Sequence, residues 1–121
     1  VTLHYVSAGA GEPVVLLHGW PQTWYMWRKI IPILAENYRV IAPDLRRLGQ
    51  SGRPDECLDK KLIAADIVDL VHDHLEQGLI HIVGHDWGGP VAFSYAIHNA
   101  DRVRTLALLD VPVPGDGTDA F

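Results

Sequence analysis

Apolar residues occur along this chain as short continuous runs separated by segments with helical spacing, which predicts alternating strands and helices. Residues 14–17, 38–42 and 79–83 are short, predominantly apolar runs, typical of strands buried on both faces of a sheet. Residues 3–8 alternate weakly and predict an edge strand, and residues 103–109 predict a further strand. The pattern therefore predicts a five-stranded sheet.

Spaced apolar stripes predict three helices between these strands. The first covers about residues 23–36, and Pro32 within it predicts a kink or an early end. The second begins after Asp59, whose side chain suits an N-cap, and runs to about Gln77, where Gly78 ends it. The third covers about residues 87–99. The inward-facing positions are Trp24, Trp27, Ile31 and Leu34 in the first helix and Ile63, Ile67, Leu70, Val71 and His74 in the second.

The resulting order, β-β-α-β-α-β-α-β, is typical of an α/β fold, with a mostly parallel sheet and helices on both faces. In such a sheet, ligands bind outside the carboxyl ends of the strands. Four polar residues lie at the carboxyl ends of predicted strands or within three residues of them, namely His18, Asp44, Asp86 and Asp110. We therefore expect the functional site at this edge of the sheet.

The most informative segment is residues 84–89, Gly-His-Asp-Trp-Gly-Gly, which follows the fourth predicted strand. It has the form of a nucleophile elbow, a tight strand-to-helix turn with small residues around one reactive side chain. Asp86 stands where serine is usual, and a carboxylate is a useful nucleophile toward a saturated carbon that bears a leaving group. The product would be an alkyl ester on the protein. The alternative role for Asp86 is that of an N-cap for the following helix.

Together with three other motifs, this elbow resembles the α/β-hydrolase fold family, and within it the epoxide hydrolase and haloalkane dehalogenase branch. The motifs are His-Gly-Trp-Pro at residues 18–21, Trp-x-x-Trp-Arg at residues 24–28 and Pro-Asp-x-Arg at residues 43–46. The resemblance implies that Asp86 is the nucleophile and that the backbone N–H groups of Trp20 and Trp87 form an oxyanion hole. It also implies a cis Trp20–Pro21 peptide bond. The side chains of Trp20, Pro21 and Trp87 are expected to contact the substrate.

Other residues near the elbow are expected to support it. His18 resembles a structural residue that shapes the oxyanion loop, and Gly19, His85 and Gly88 resemble structural neighbours of the nucleophile. Asp110 keeps two interpretations. It is either the acid that orients a catalytic histidine, as in some dehalogenases, or a residue that caps the turn in front of two prolines.

The chain also departs from the family pattern. No residue matches the family's water-activating histidine, and the cap domain, whose tyrosines protonate the epoxide oxygen in epoxide hydrolases, is absent. We therefore expect residues 1–121 to form a single truncated core domain, an N-terminal fragment, with residues 112–121 as the start of the linker to the cap. Arg47 stands where relatives usually have Gly, and Gln50 where they commonly have an acidic residue.

The resemblance implies a hydrolase that forms an ester on Asp86 and hydrolyses it with histidine-activated water, with an epoxide as the expected substrate. The alternatives are a haloalkane dehalogenase with the same covalent mechanism and a non-catalytic truncated fragment. Fluoroacetate dehalogenases hold a carboxylate with arginines where this chain has Trp87 and Pro90, so the expected substrate is small, neutral and apolar. A serine esterase is disfavoured because no serine stands at the centre of the elbow. Ser94 lies two turns into the following helix.

Composition and charge narrow the classes of partner and the cellular location to be expected. A net charge of −5 without a basic cluster argues against a nucleic-acid partner. No apolar run approaches the ~18 residues that span a bilayer, and the single cysteine, Cys57, fits a reducing compartment, so a cytoplasmic location is expected. His72 and His74 would point to different faces of a helix, so no metal site is expected there. No cofactor is implied, and the sequence does not indicate an oligomeric state.

Overall fold

A five-stranded, mostly parallel sheet organises residues 1–54 and 59–111, the part of the chain that the computed structural model describes. The strands are β1 (Tyr5–Ala8), β2 (Glu12–Leu17), β3 (Tyr38–Pro43), β4 (Ile80–His85) and β5 (Val103–Leu109). Their order across the sheet is β1-β3-β2-β4-β5, with β1 antiparallel to β3 and the other pairs parallel. The predicted α/β class is confirmed. Cys57 and the predicted linker at residues 112–121 lie outside the described residues.

Helices pack on both faces of this sheet. On one face, α2 (Lys60–Val68) and α3 (Gly88–His98) cover strand residues that include Val15 and Ile82. On the other face, α1 (Ile31–Leu34) and the preceding turn, with Trp27, cover Val14 and its neighbours. Successive strand side chains point to opposite faces, so one continuous apolar run fills both cores.

The first predicted helix is wrong in its continuity. Instead of one helix over residues 23–36, the structure has a 3-10 turn at Trp24–Trp27 and then the single turn of α1. Pro32 is the physical reason, because a proline has no N–H and is tolerated only in the first turn of a helix. A new helix therefore starts at Ile31, directly before Pro32. The inward positions of this segment are correct, since Trp27 and Ile31 are buried.

The second predicted helix is correct at its start and wrong at its end. Asp59 accepts a hydrogen bond from the Lys61 N–H, as an N-cap does. Beyond α2, the backbone widens into a π-helical turn at Asp69–His74. The wider turn changes the angular position of the residues after it, so His74 is exposed and does not continue the buried stripe. The turn ends before Glu76, which has φ 54°, and Gly78 is not the terminating residue.

Candidate active site

The turn between β4 and α3 presents Asp86 at the carboxyl edge of the sheet. β4 starts one residue later and ends two residues later than predicted, and α3 begins at Gly88. Asp86 has φ 55°, in the left-handed region that non-glycine residues adopt at an energetic cost, commonly at functional sites. At Gly88, a Cβ would lie 2.4 Å from the Leu17 carbonyl oxygen. The elbow therefore packs directly against β2 and leaves the Asp86 side chain exposed.

The loop after β2 meets the elbow through one direct hydrogen bond. The Trp20 N–H donates to Asp86 Oδ1 at 3.0 Å, although the two residues are 66 positions apart in the chain. The Trp20–Pro21 peptide bond is cis, as the resemblance implies. The Gln22 N–H donates to the Gly19 carbonyl at 2.9 Å and closes the four-residue turn. The fold thus brings together two of the motifs singled out in the sequence.

Trp87 directly follows Asp86 in the chain and stands immediately before α3. It is the N-cap residue of α3, and the amides at a helix N-terminus have no acceptor within the helix. The indoles of Trp20 and Trp87 are 53% and 38% exposed, and Pro21 is exposed as well. These three residues give the surroundings of Asp86 an apolar surface that is open to solvent.

Both ring nitrogens of His18 form hydrogen bonds within the fold. Its Nδ1–H donates to the Gly19 carbonyl at 2.8 Å, and Nε2 accepts from the Leu45 N–H at 3.0 Å. Burial lowers the pKa of His18, even though the Gly19 carbonyl and the nearby Asp44 act to raise it. A neutral ring with both nitrogens occupied has no free atom to accept a proton from a water molecule.

Asp44 has a structural role that its place at the end of a strand does not reveal. The carboxylate is 1% exposed and is saturated with donors. Oδ1 accepts from the Trp24 N–H at 2.8 Å, and Oδ2 accepts from the Gln50 N–H and His4 Nδ1–H, each at 3.0 Å. Asp44 therefore joins three loops at the edge of the sheet, and both of its oxygens already accept hydrogen bonds within the fold.

The neighbouring arginines hold the same loop in place. Arg46 makes a buried two-pronged contact with Asp66 of α2, at 2.6 and 2.7 Å. Arg47 has φ 67°, so this arginine adopts a left-handed conformation at the position where the family resemblance implies Gly. Its side chain donates to the Pro54 carbonyl at 2.6 Å. The departure from the family pattern thus keeps the backbone conformation that glycine favours.

At the end of β5, Asp110 approaches His85. The distance from Asp110 Oδ2 to His85 Nε2 is 3.6 Å, and the Asp110 side chain is 90% exposed. Asp110 also has a left-handed backbone, with φ 55°. The two prolines invoked by the capping interpretation lie outside the described residues. The geometry places Asp110 beside the residue that precedes the elbow carboxylate.

Several other groups lie away from this edge. His72 Nδ1–H donates to the Gln77 carbonyl at 2.8 Å, and Nε2 accepts from the buried Tyr95 hydroxyl.

Within residues 1–54 and 59–111, no group of three or more His, Cys, Asp or Glu side chains is arranged to hold a metal ion. No helix in the same ranges is long and apolar enough to cross a membrane.

Comparison with known proteins places the chain in a family. The model of the α/β hydrolase fold family matches residues 12–120. The chain belongs to the α/β hydrolase family. This α/β hydrolase is 54% identical over 113 residues to the soluble epoxide hydrolase of Corynebacterium sp. (strain C12), covering 93% of this chain and 39% of that protein. It is 44% identical over 117 residues to epoxide hydrolase A of Mycobacterium tuberculosis, covering 93% of this chain and 36% of that protein.

Solved structures agree with these sequence matches. A structure of the epoxide hydrolase CorEH without ligand superposes with a TM-score of 0.89 at 51% identity, covering 98% of this chain and 42% of that one. The α/β hydrolase chain thus spans well under half the length of the relatives that it matches. The matched part holds the sheet, the elbow and the loop that carries Trp20.

Proposed function

We propose that this chain carries the nucleophilic half of an epoxide hydrolase site, in which Asp86 is alkylated by a small, neutral, apolar epoxide. In this step the carboxylate attacks a ring carbon and the carbon–oxygen bond of the epoxide breaks. The ring oxygen stays on the neighbouring carbon as an alkoxide and takes a proton, from water or from the cap tyrosines that the family resemblance implies. The product is a hydroxyalkyl ester of Asp86.

The observation that carries the proposal is the asymmetric environment of the Asp86 carboxylate. Oδ1 accepts the Trp20 N–H at 3.0 Å, whereas Oδ2 accepts no hydrogen bond from the described residues. Oδ2 is therefore the free atom for attack on carbon. Once the ester has formed, Oδ1 is its carbonyl oxygen and already faces a backbone donor. Charge that develops on Oδ1 when water attacks the ester is then stabilised by Trp20 N–H, with Trp87 N–H as the second donor.

Hydrolysis of the ester also needs a base to activate water. None of the seven histidines, all of which lie within the described ranges, forms a hydrogen bond with the Asp86 side chain. His18 and His72 have both ring nitrogens occupied elsewhere. A histidine outside this chain, as in the family pattern, remains a prediction for the second step. Without it, the chain would form the ester and retain it.

Support for an epoxide comes from the relatives and from the chemistry of the site. The two curated proteins and the solved structure described above are named as epoxide hydrolases. The exposed surface next to Asp86 is made of two indoles and a proline, which suits a neutral, apolar molecule. A cytoplasmic location remains a prediction that rests on the single cysteine, which lies outside the described residues.

The proposal is tested by intact-mass measurement after incubation with a terminal aryl epoxide such as styrene oxide. We expect one adduct with the whole mass of the epoxide, located at Asp86 by peptide mapping. Asp86→Asn should remove the adduct, and Asp101→Asn, at an exposed aspartate after α3, should keep it. Labelling that survives Asp86→Asn would disprove the proposed nucleophile. A chain that reacts only with a haloalkane, gaining the alkyl group and losing halide, would favour the dehalogenase alternative.

A further inference from the structure

We infer that Gln22 is the positioning residue that directs the Trp20 N–H at the nucleophile, by clamping both peptide groups of Gly19. The inference rests on the proposed function, because it concerns the donor to Asp86. Gln22 lies outside every motif identified in the sequence. It is half-buried and follows the cis Trp20–Pro21 peptide bond.

Gln22 holds Gly19 from two sides. Its backbone N–H donates to the Gly19 carbonyl at 2.9 Å, and its side-chain Oε1 accepts from the Gly19 N–H at 2.9 Å. The carbonyl belongs to the peptide group between Gly19 and Trp20, and the N–H belongs to the one between His18 and Gly19. One residue therefore restrains the peptide planes on both sides of the Gly19 Cα.

The planarity of the peptide bond carries this restraint to the active site. The Gly19 carbonyl and the Trp20 N–H belong to the same rigid plane, so a fixed carbonyl direction also fixes the N–H direction. The carbonyl accepts from Gln22 N–H and also from His18 Nδ1–H at 2.8 Å. On the other side of the plane, the Trp20 N–H reaches Asp86 Oδ1 at 3.0 Å.

The site needs such a clamp because position 19 has no room for a side chain. A Cβ on Gly19 would lie 2.5 Å from Asp86 Cβ and 2.8 Å from Gln22 Oε1. Glycine solves the spatial problem, but its backbone is the most flexible of all residues. A donor that stabilises a developing charge is effective only when its direction is fixed before the reaction. The two hydrogen bonds from Gln22 supply the rigidity that glycine lacks.

The test compares Gln22→Leu, which removes the acceptor, with Gln22→Glu, which keeps an acceptor oxygen at the same reach. Gln50→Leu is the matched control, because the exposed side chain of Gln50 forms no hydrogen bond with the described residues and only its backbone N–H is bonded. Two quantities are measured in each variant. One is the hydrogen-exchange rate of the Gly19 amide, and the other is the rate of Asp86 labelling by styrene oxide.

We expect Gln22→Leu to speed exchange at Gly19 by about fivefold to tenfold, the effect of losing one hydrogen bond. We also expect labelling of Asp86 to slow by roughly tenfold, because the donor that orients the carboxylate is no longer fixed. Gln22→Glu should restore the protection of the Gly19 amide to within about twofold of the unmodified protein, because it keeps the acceptor oxygen. Gln50→Leu should change neither.

Unchanged exchange and labelling in Gln22→Leu would overturn the inference. So would a Gln22→Leu variant that loses Gly19 protection while labelling keeps its rate, because the role would then be merely structural. If the unmodified protein is not labelled at all, the proposed function fails instead. The Gly19 exchange rates in the two Gln22 variants then still decide whether the clamp exists.

Discussion

Asp44 and Asp86 follow apolar strands of the same parallel sheet and lie at the same edge, but their surroundings differ completely. Asp44 is 1% exposed, and three donors occupy its two oxygens. Asp86 is exposed, has a left-handed backbone and holds one donor, the Trp20 N–H. Both oxygens of Asp44 accept hydrogen bonds that join loops, whereas Oδ2 of Asp86 accepts no hydrogen bond from the described residues. Strand-end position alone therefore does not distinguish a structural carboxylate from the candidate nucleophile, whereas the hydrogen bonds of Asp44 and Asp86 differ.

The same isosteric substitution at both positions should give opposite results. Asp86→Asn should reduce epoxide labelling by at least about a hundredfold, because an amide is a poor nucleophile, with little loss of stability. Asp44→Asn should cost about 3 kcal/mol in the free energy of unfolding, because its NH₂ group would face a donor and leave it unsatisfied. Urea denaturation and intact-mass labelling measure the two effects. Equal stability losses in both variants would contradict the comparison.

Each aspartate also has a glycine packed against it, which gives a second, smaller pair of effects. Gly49 has φ 54°, and a Cβ there would lie 2.3 Å from Asp44 Oδ2. Gly49→Ala should therefore destabilise the protein by about 2 kcal/mol. Gly19→Ala, whose Cβ would meet Asp86 at 2.5 Å, should slow labelling by roughly tenfold with a smaller loss of stability. The comparison is wrong if Gly49→Ala slows labelling more than Gly19→Ala does.

His18 links the two regions, since it bonds the Gly19 carbonyl on one side and the Leu45 N–H, next to Asp44, on the other. Burial lowers its pKa in the folded protein below the ordinary value of 6.5. Between the lowered value and 6.5, the unfolded chain binds more protons, so the stabilisation is complete above 6.5 and is lost as pH falls through the folded pKa. We expect the free energy of unfolding to decrease as the pH is lowered from 7 to 5. His18→Asn should flatten this part of the stability profile, and an unchanged slope would refute the assignment.

The smallest effect is expected at Asp110. Its carboxylate is 90% exposed and 3.6 Å from His85 Nε2, and exposed ion pairs contribute about 0–1 kcal/mol. Asp110→Asn should leave the rate of Asp86 labelling unchanged, because an acid that orients a base acts only when the ester is hydrolysed. Parallel labelling and thermal-melting curves would show this. A labelling rate that drops as it does for Gly19→Ala would place Asp110 in the first step.

The features predicted correctly from the sequence depend on local patterns. Continuous apolar runs identified the strands, and the small residues around Asp86 identified the elbow. The two helix errors also have local causes. Pro32 was recognised as a disruption, but the sequence did not show that the chain would restart a helix one residue before it. No residue comparable to Pro32 indicates the π-helical turn at Asp69–His74 in the sequence. This turn places His74 outside the buried stripe.

Local motifs indicate the candidate site residues but not the groups that support them. The resemblance of residues 18–21 and 84–89 to a known family indicates Asp86, Trp20 and Trp87, whose roles stay predictions. Gln22 lies next to such a motif, and its i, i+3 spacing from Gly19 was a signal that could have been used, because residues so spaced close a turn. The donors to Asp44 come from positions 4, 24 and 50, and no short pattern connects them.

The sequence by itself determined which segments become strands, where the sharp turn between strand and helix lies, and that a carboxylate occupies its centre. These properties follow from side-chain volume, hydrophobic period and the backbone preferences of neighbouring residues, all of which act over a few positions. The tertiary structure decided which carboxylate is buried and saturated and which is free. That outcome depends on hydrogen bonds such as the one between Trp20 and Asp86, whose partners meet only after the sheet has assembled.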